Sequence, residues 1–119
     1  MPIQLSNEFG RIDVSDSCVA TIAGFAALEC YGLVGMASRN GLKDGIAVLL
    51  GRDNLTKGVE ITQVQDGVNI DLYIVVSYGT KISEVANNIR SKVTYVLNDV
   101  IGLEVNEVNI FVQDVRVST

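Results

Sequence analysis

The chain has 119 residues, 48% of them apolar and 19% charged, with a formal charge of −5, one proline and no histidine. That balance excludes intrinsic disorder, and the length predicts one domain over residues 1–119 that buries a core without metal or disulfide support. The acidic surface disfavours both a nucleic-acid backbone and an anionic lipid sheet, which are normally met by clustered Lys and Arg.

The stretch through Val14 carries Glu8, Arg11 and Asp13 and no apolar run, so it does not read as a secretory signal. The longest charge-free stretch, Ser17 to Leu28, is shorter than the roughly 20 residues a membrane span needs. Both features predict a soluble cytoplasmic protein with no direct membrane insertion. Residues 8–14 (EFGRIDV) predict a first strand, and Ser15 or Asp16 is placed to cap a helix running to about Tyr31. Val19, Ile22, Ala23, Ala26, Ala27 and Cys30 follow the i, i+3, i+4 spacing of a buried stripe. Cys18 and Cys30 would lie about 18 Å apart along that helix, too far for a disulfide, and both read as small core hydrophobes.

Leu33 to Ala37 predict a short extended segment. The stretch NGLKDGIAVLLGRDNLTKG that follows is the least regular part, with a short helix expected around Leu42 to Leu50. Period-two alternation then predicts strands at 57–65 and 68–78 joined by an Asp66-Gly67 hairpin turn. In the second, Val68, Ile70, Leu72, Ile74, Val76 and Tyr78 mark one face as core. A helix over 81–101 carries Ile82, Val85, Ala86, Ile89, Val93, Val96, Leu97 and Val100 on one side, and Gly102 stops it. Leu103 to Val117 predict a long final strand whose alternation slips after Val112, which a β-bulge near Asp114 would explain.

The order β-α-β-(short α)-β-β-α-β predicts an α+β fold: a mixed sheet with two amphipathic helices packed on one face. The other sheet face is then left to solvent or to a partner, and it should display Asn69, Asp71, Tyr73, Val75, Asn109, Phe111 and Gln113.

Chemistry is mostly excluded. Without histidine there is no Ser-His-Asp or Cys-His arrangement and the commonest general base near neutral pH is missing. No catalytic, metal-binding or cofactor-binding residue is identified, and phosphate-binding glycine patterns are absent. Gly32-Leu33-Val34-Gly35 matches the letters of the loop with which KH domains clamp a nucleic-acid backbone, but its middle residues are apolar. The candidate interaction surface is therefore Tyr73, Val75 and Phe111 with Asn109 and Gln113 beside them, because aromatics on an open sheet suit partner anchoring. The last strand, if it lies at an edge, also offers unpaired backbone to another chain.

The succession Gly10-Arg-Ile-Asp-Val-Ser, Ile22-Ala23 through Ala26-Ala27-Leu28-Glu29, and Gly32-Leu33-Val34-Gly35-Met36 resembles the opening of the alkaline shock protein family, the YloU-like envelope stress response proteins of Gram-positive bacteria. Leu50-Gly51-Arg52, Lys57-Gly58-Val59, Ile70 through Gly79, Ile82-Ser83-Glu84-Val85-Ala86, Ile89-Arg90 and Gly102 through Ile110 are similar to that family in order and spacing. The resemblance covers about residues 8–117. It implies a small cytoplasmic, non-enzymatic protein linked to cell-envelope homeostasis. It also implies self-association into a homo-oligomer and, as in some members, membrane association through an integral anchoring protein. No functional residue follows from it. The expected function is a non-catalytic interaction module acting through the open face or the final strand. A KH-like nucleic-acid-binding module and an accessory regulatory subunit of a metabolic enzyme are the competing readings.

Overall fold

At the N-terminus of the computed structural model, which describes residues 3–43, 46–65 and 67–117, β1 (Ile3–Asn7) and β2 (Gly10–Val14) pair antiparallel as a hairpin. Ser15 then accepts the Cys18 amide at 3.1 Å and starts α1 (Asp16–Leu28). The chain continues through β3 (Leu33–Lys43), β4 (Ile46–Leu49), a 3₁₀ helix (Arg52–Gly58), β5 (Val59–Val64), β6 (Gly67–Ser77), α2 (Ile82–Ile101) and β7 (Val105–Arg116).

The expected order of elements is present, with two strands added to it. β1 precedes the strand expected at 8–14, which itself begins at Gly10. The stretch expected as a short helix around 42–50 contains strand β4, and the helical turn comes later, where Leu55 supplies the buried side chain.

β6 is the centre of the sheet. β7 runs parallel along one of its edges from Val68 to Ser77. The other edge is shared end to end: β5 lies antiparallel to Gly67–Leu72, and the start of β3 pairs antiparallel with 74–76. A parallel neighbour needs a crossover connection, and α2 supplies it. Val68, Ile70, Leu72, Ile74 and Val76 alternate into one face and are fully or almost fully buried. They cluster with Val19, Ala23, Ala26 and Ala27 of α1 and with Val85, Ile89, Val93 and Leu97 of α2, so both helices cover that face. The buried stripe of α2 is narrower than the apolar pattern suggests, and Ile82 and Val100 at its two ends are exposed.

The β5–β6 turn explains one glycine. Asp66 lies outside the described residues, but Val64 pairs with Gly67, whose φ of 151° and contact with the Glu104 carbonyl leave no room for a Cβ.

The cysteines divide. Cys18 is exposed, which overturns its expected burial: it precedes Val19 by about 100° around the helix and sits among Ser15, Ser17 and Thr21 rather than on the buried stripe. Cys30 is half-buried just beyond the helix, and burial is the leading cause that pushes its thiol above the ordinary value of 9.0. Because the thiolate is the nucleophile, a raised pKa leaves less of it at a given pH. At pH 8 Cys18 should therefore be alkylated well before Cys30, as read by mass spectrometry after an iodoacetamide pulse. Equal rates would contradict this placement.

Candidate functional site

Residues that alternate away from the helices form the second face of the sheet. From β6 these are Asn69, Asp71, Tyr73, Val75 and Ser77. In register beside them on β7 stand Glu107, Asn109, Phe111, Asp114 and Arg116. β5 places Glu60 opposite Asp71 and Thr62 opposite Asn69. Residues directly opposite share a face, so each row is a potential cross-strand contact.

Two rows make contacts that organise the centre. Tyr73 and Phe111 stack with ring centroids 4.9 Å apart and planes at 14°, while Tyr73 is half-buried and Phe111 is 42% exposed. One row away, Asn109 Nδ2 donates to Asp71 Oδ1 at 3.0 Å. Further along, Arg116 Nε lies 3.5 Å from Asp114 Oδ2, and the Val115 amide donates to Asp114 Oδ1 at 2.8 Å. The slip between Ile74↔Val112 and Val75↔Asp114 leaves Gln113 as the extra residue of a bulge, where the broken alternation pointed. Tyr73, Phe111 and Asn109 are thus brought together, and Gln113 marks the end of their regular rows.

Val75 corrects the expected surface. It is 0% exposed and packs with Ala37 of β3, because the β3–β4 hairpin leaves the edge of β6 and comes over this face as far as β7. Leu49 of β4 lies against Gly35, where an added Cβ would stand 3.1 Å from its Cδ2. An alternating pattern shows which side of a strand a residue takes but not what a distant hairpin covers. Glu60 and Thr62 were missed for the opposite reason, although extending the Asp66-Gly67 hairpin register backward places them on the same face.

Gly32 and Gly35 are committed to packing. Gly32 has φ 91°, and a Cβ there would come 2.6 Å from Val85 of α2. Gly35 sits inside β3, paired with Val75. The segment therefore leads from a helix end into a sheet rather than forming an open loop between helices.

The final strand is an edge, since among the described residues β7 pairs only with β6. Two devices blunt it: the bulge at Gln113, and Arg90 of α2, whose Nε donates to the Val108 carbonyl at 3.1 Å while Nη1 donates to Asn87 Oδ1 at 2.9 Å. Replacing Arg90 by Ala should bare that carbonyl and give concentration-dependent self-association, measured by size exclusion with light scattering. A profile identical to the parent chain would show that Arg90 does not guard the edge.

Among the described residues, the rest of the surface shows no cluster of metal-ligating side chains. A cavity of about 310 Å³ between β1 and the β5–β6 turn is lined, among the described residues, by Ile3, Gln63, Gly67, Leu103 and neighbours, with Glu104 the one ionisable side chain of that described lining. No described helix is long and apolar enough to cross a membrane.

A model of the alkaline shock protein 23 family, described as having a cell envelope-related function, matches residues 4–117. The chain is 52% identical over 118 residues to the uncharacterized protein YloU of Bacillus subtilis (strain 168), covering 99% of this chain and 98% of that one. It is 40% identical over 117 residues to the uncharacterized protein Spy1614 of Streptococcus pyogenes serotype M6, covering 98% and 97%. It is 31% identical over 110 residues to the uncharacterized protein YqhY of Bacillus subtilis, covering 92% and 80%. No solved structure matches.

Proposed function

The chain belongs to the alkaline shock protein 23 family, whose function is cell envelope-related, and we propose that it serves the envelope as a non-catalytic interaction protein acting from the cytoplasm through the helix-free face of its sheet. The observation that carries this reading is the Tyr73–Phe111 stack. Two aromatic rings are stacked in register on a strand pair, one of them 42% exposed, on the side of the sheet that neither helix covers. Preorganised aromatic area of this kind is what partner anchoring uses, because little side-chain entropy remains to be lost on binding. The lack of histidine supports a non-catalytic role, since it removes the commonest acid–base group. In this reading the occupants are a protein partner, including an integral membrane protein that would recruit the chain to the membrane, and further copies of the chain itself.

The test is in-cell crosslinking of tagged protein in its source bacterium, with membrane and soluble fractions separated before partners are identified. Stoichiometric recovery with an integral membrane protein of the envelope supports the reading. Recovery only with a soluble metabolic enzyme, or with RNA, would replace it with the accessory-subunit or nucleic-acid alternative.

A further inference from the structure

We propose that copies of this chain join head to tail, the β1–β2 turn of one copy docking in the cavity where β6 ends and α2 begins in the next. The contact lies away from the helix-free face and leaves that face open. Its first half is an arm. β1 and β2 form a two-stranded sheet of their own, and exposure rises outward along it, from 7% at Ile3 to 59% at Ile12 and 89% at Phe9. Ile3 and Val14 root the arm on the core, while Glu8 and Phe9 make the two-residue turn between Asn7 and Gly10. Such turns call for Asn, Asp or Gly, so a phenyl ring and a carboxylate at the tip depart from turn chemistry. Departures from a local rule are expected where residues serve something beyond the local fold. A two-stranded hairpin on its own is also marginal in water and gains from being covered.

The second half is a cavity of about 430 Å³ lined, among the described residues, by Ser77, Tyr78, Gly79, Thr80, Ile82 and Val115. Tyr78, Ile82 and Val115 are 71%, 43% and 39% exposed, an apolar patch at the end of the sheet. Its backbone is tied down: the Tyr78 amide donates to the Arg116 carbonyl at 2.8 Å, and the Thr80 hydroxyl donates to the Ser77 carbonyl at 2.7 Å. A preformed pocket loses little entropy when it takes up a ring. The charges agree as well. Glu8 stands beside Phe9 at the tip, where Arg11 is already paired with Asp13 at 3.1 Å. Lys81 is exposed between two lining residues, and α2 starts there without a side-chain cap, so its first amides add partial positive charge. Glu84, in the first turn of α2, lines a separate cavity with Tyr31 and Asn88.

Reach decides which arm fills the cavity. β1 lies beside Gly67 and Leu103, at the start of β6. The cavity lies past Ser77 at the other end, about 33 Å away at the rise of a strand, while a five-residue arm extends about 17 Å. A chain's own tip therefore cannot fill it, and the occupant is the tip of a second copy. Because the two halves are different surfaces, each added copy still presents a tip and a cavity, and the contact propagates.

The test is light scattering of the full chain from micromolar to millimolar concentration. One tip in one cavity is a small contact, so association should be weak, but the mass should climb past that of a dimer. Phe9→Ser removes the ring, and Ile82→Asp puts a carboxylate where Glu8 docks. Each should weaken association at least tenfold, and because neither side chain belongs to the core, the far-UV spectrum should be retained. An equimolar mixture of the two variants should form a 1:1 dimer that grows no further, since one retains the cavity and the other the tip. Glu8→Lys should weaken association about threefold, and adding Lys81→Glu to the same chain should restore it. A parent chain that stays monomeric at millimolar concentration, a mass that stops at a dimer, variants that associate like the parent, or folded variants whose mixture stays monomeric would each overturn the proposal. Partner capture through Tyr73 and Phe111 does not involve Phe9, so any of these failures would leave the sheet-face reading standing.

Discussion

Ile74→Ala should lower unfolding stability by about 3–4 kcal/mol, a large share of the roughly 5–15 kcal/mol available to a chain of this size. Ile74 is 0% exposed at the middle of β6, between Met36 of β3 and Val112 of β7, and belongs to the core cluster that both helices complete. Truncation there removes apolar contacts from three directions, and the surrounding strands are pinned by their ladders and cannot collapse into the space. A urea titration checks it: the midpoint should fall with the slope unchanged, because the surface exposed on unfolding is nearly the same. A loss below about 1 kcal/mol would mean that β6 is not the centre of the core.

Replacing Tyr73 and Phe111 together by Asp should cut recovery of the crosslinked partner about tenfold or more while the protein still folds. The stack itself is worth about 1 kcal/mol, and the new carboxylates join Asp71 and Glu60, so some thermal stability is lost as well. The helical core on the other face is untouched, and the far-UV spectrum should be retained. Undiminished capture by a folded double variant would remove this surface from the account. Paired loss of capture and of secondary structure is resolved by Phe111→Ala alone, which deletes the exposed ring without adding charge.

Much of this architecture was legible because the governing signals are local and periodic. The 3.6-residue stripe of α2, the strict alternation from Val68 to Val76, and the phase slip after Val112 each carry their own evidence, and each appears where the periodicity pointed. The same regularity put Tyr73, Asn109 and Phe111 on one face before any pairing was known. Family membership was legible for a different reason, since ordered short motifs spread over about residues 8–117 are collectively specific, and the family match over 4–117 agrees with them.

What escaped was long-range. β1 carries little of its own signal, and only its pairing with β2 makes it a strand. β4 read as helical because Ile46, Leu49 and Leu50 have a helix-like spacing, while its pairing with β3 decides otherwise. Val75 was placed on the correct side of its strand and wrongly left in solvent, since no local pattern reveals that Ala37 comes across to cover it. Arg90 was equally invisible. Its role on the Val108 carbonyl joins residues 18 apart through the packing of α2 beside β7.

The most direct test of the interaction face is site-specific photocrosslinking in cells, with the crosslinking residue placed at position 111 on the stacked pair or at position 95 on exposed α2. The account predicts a defined adduct with one partner from position 111 and none from position 95. Adducts from position 95, with position 111 silent, would place the working surface on the helices and contradict it.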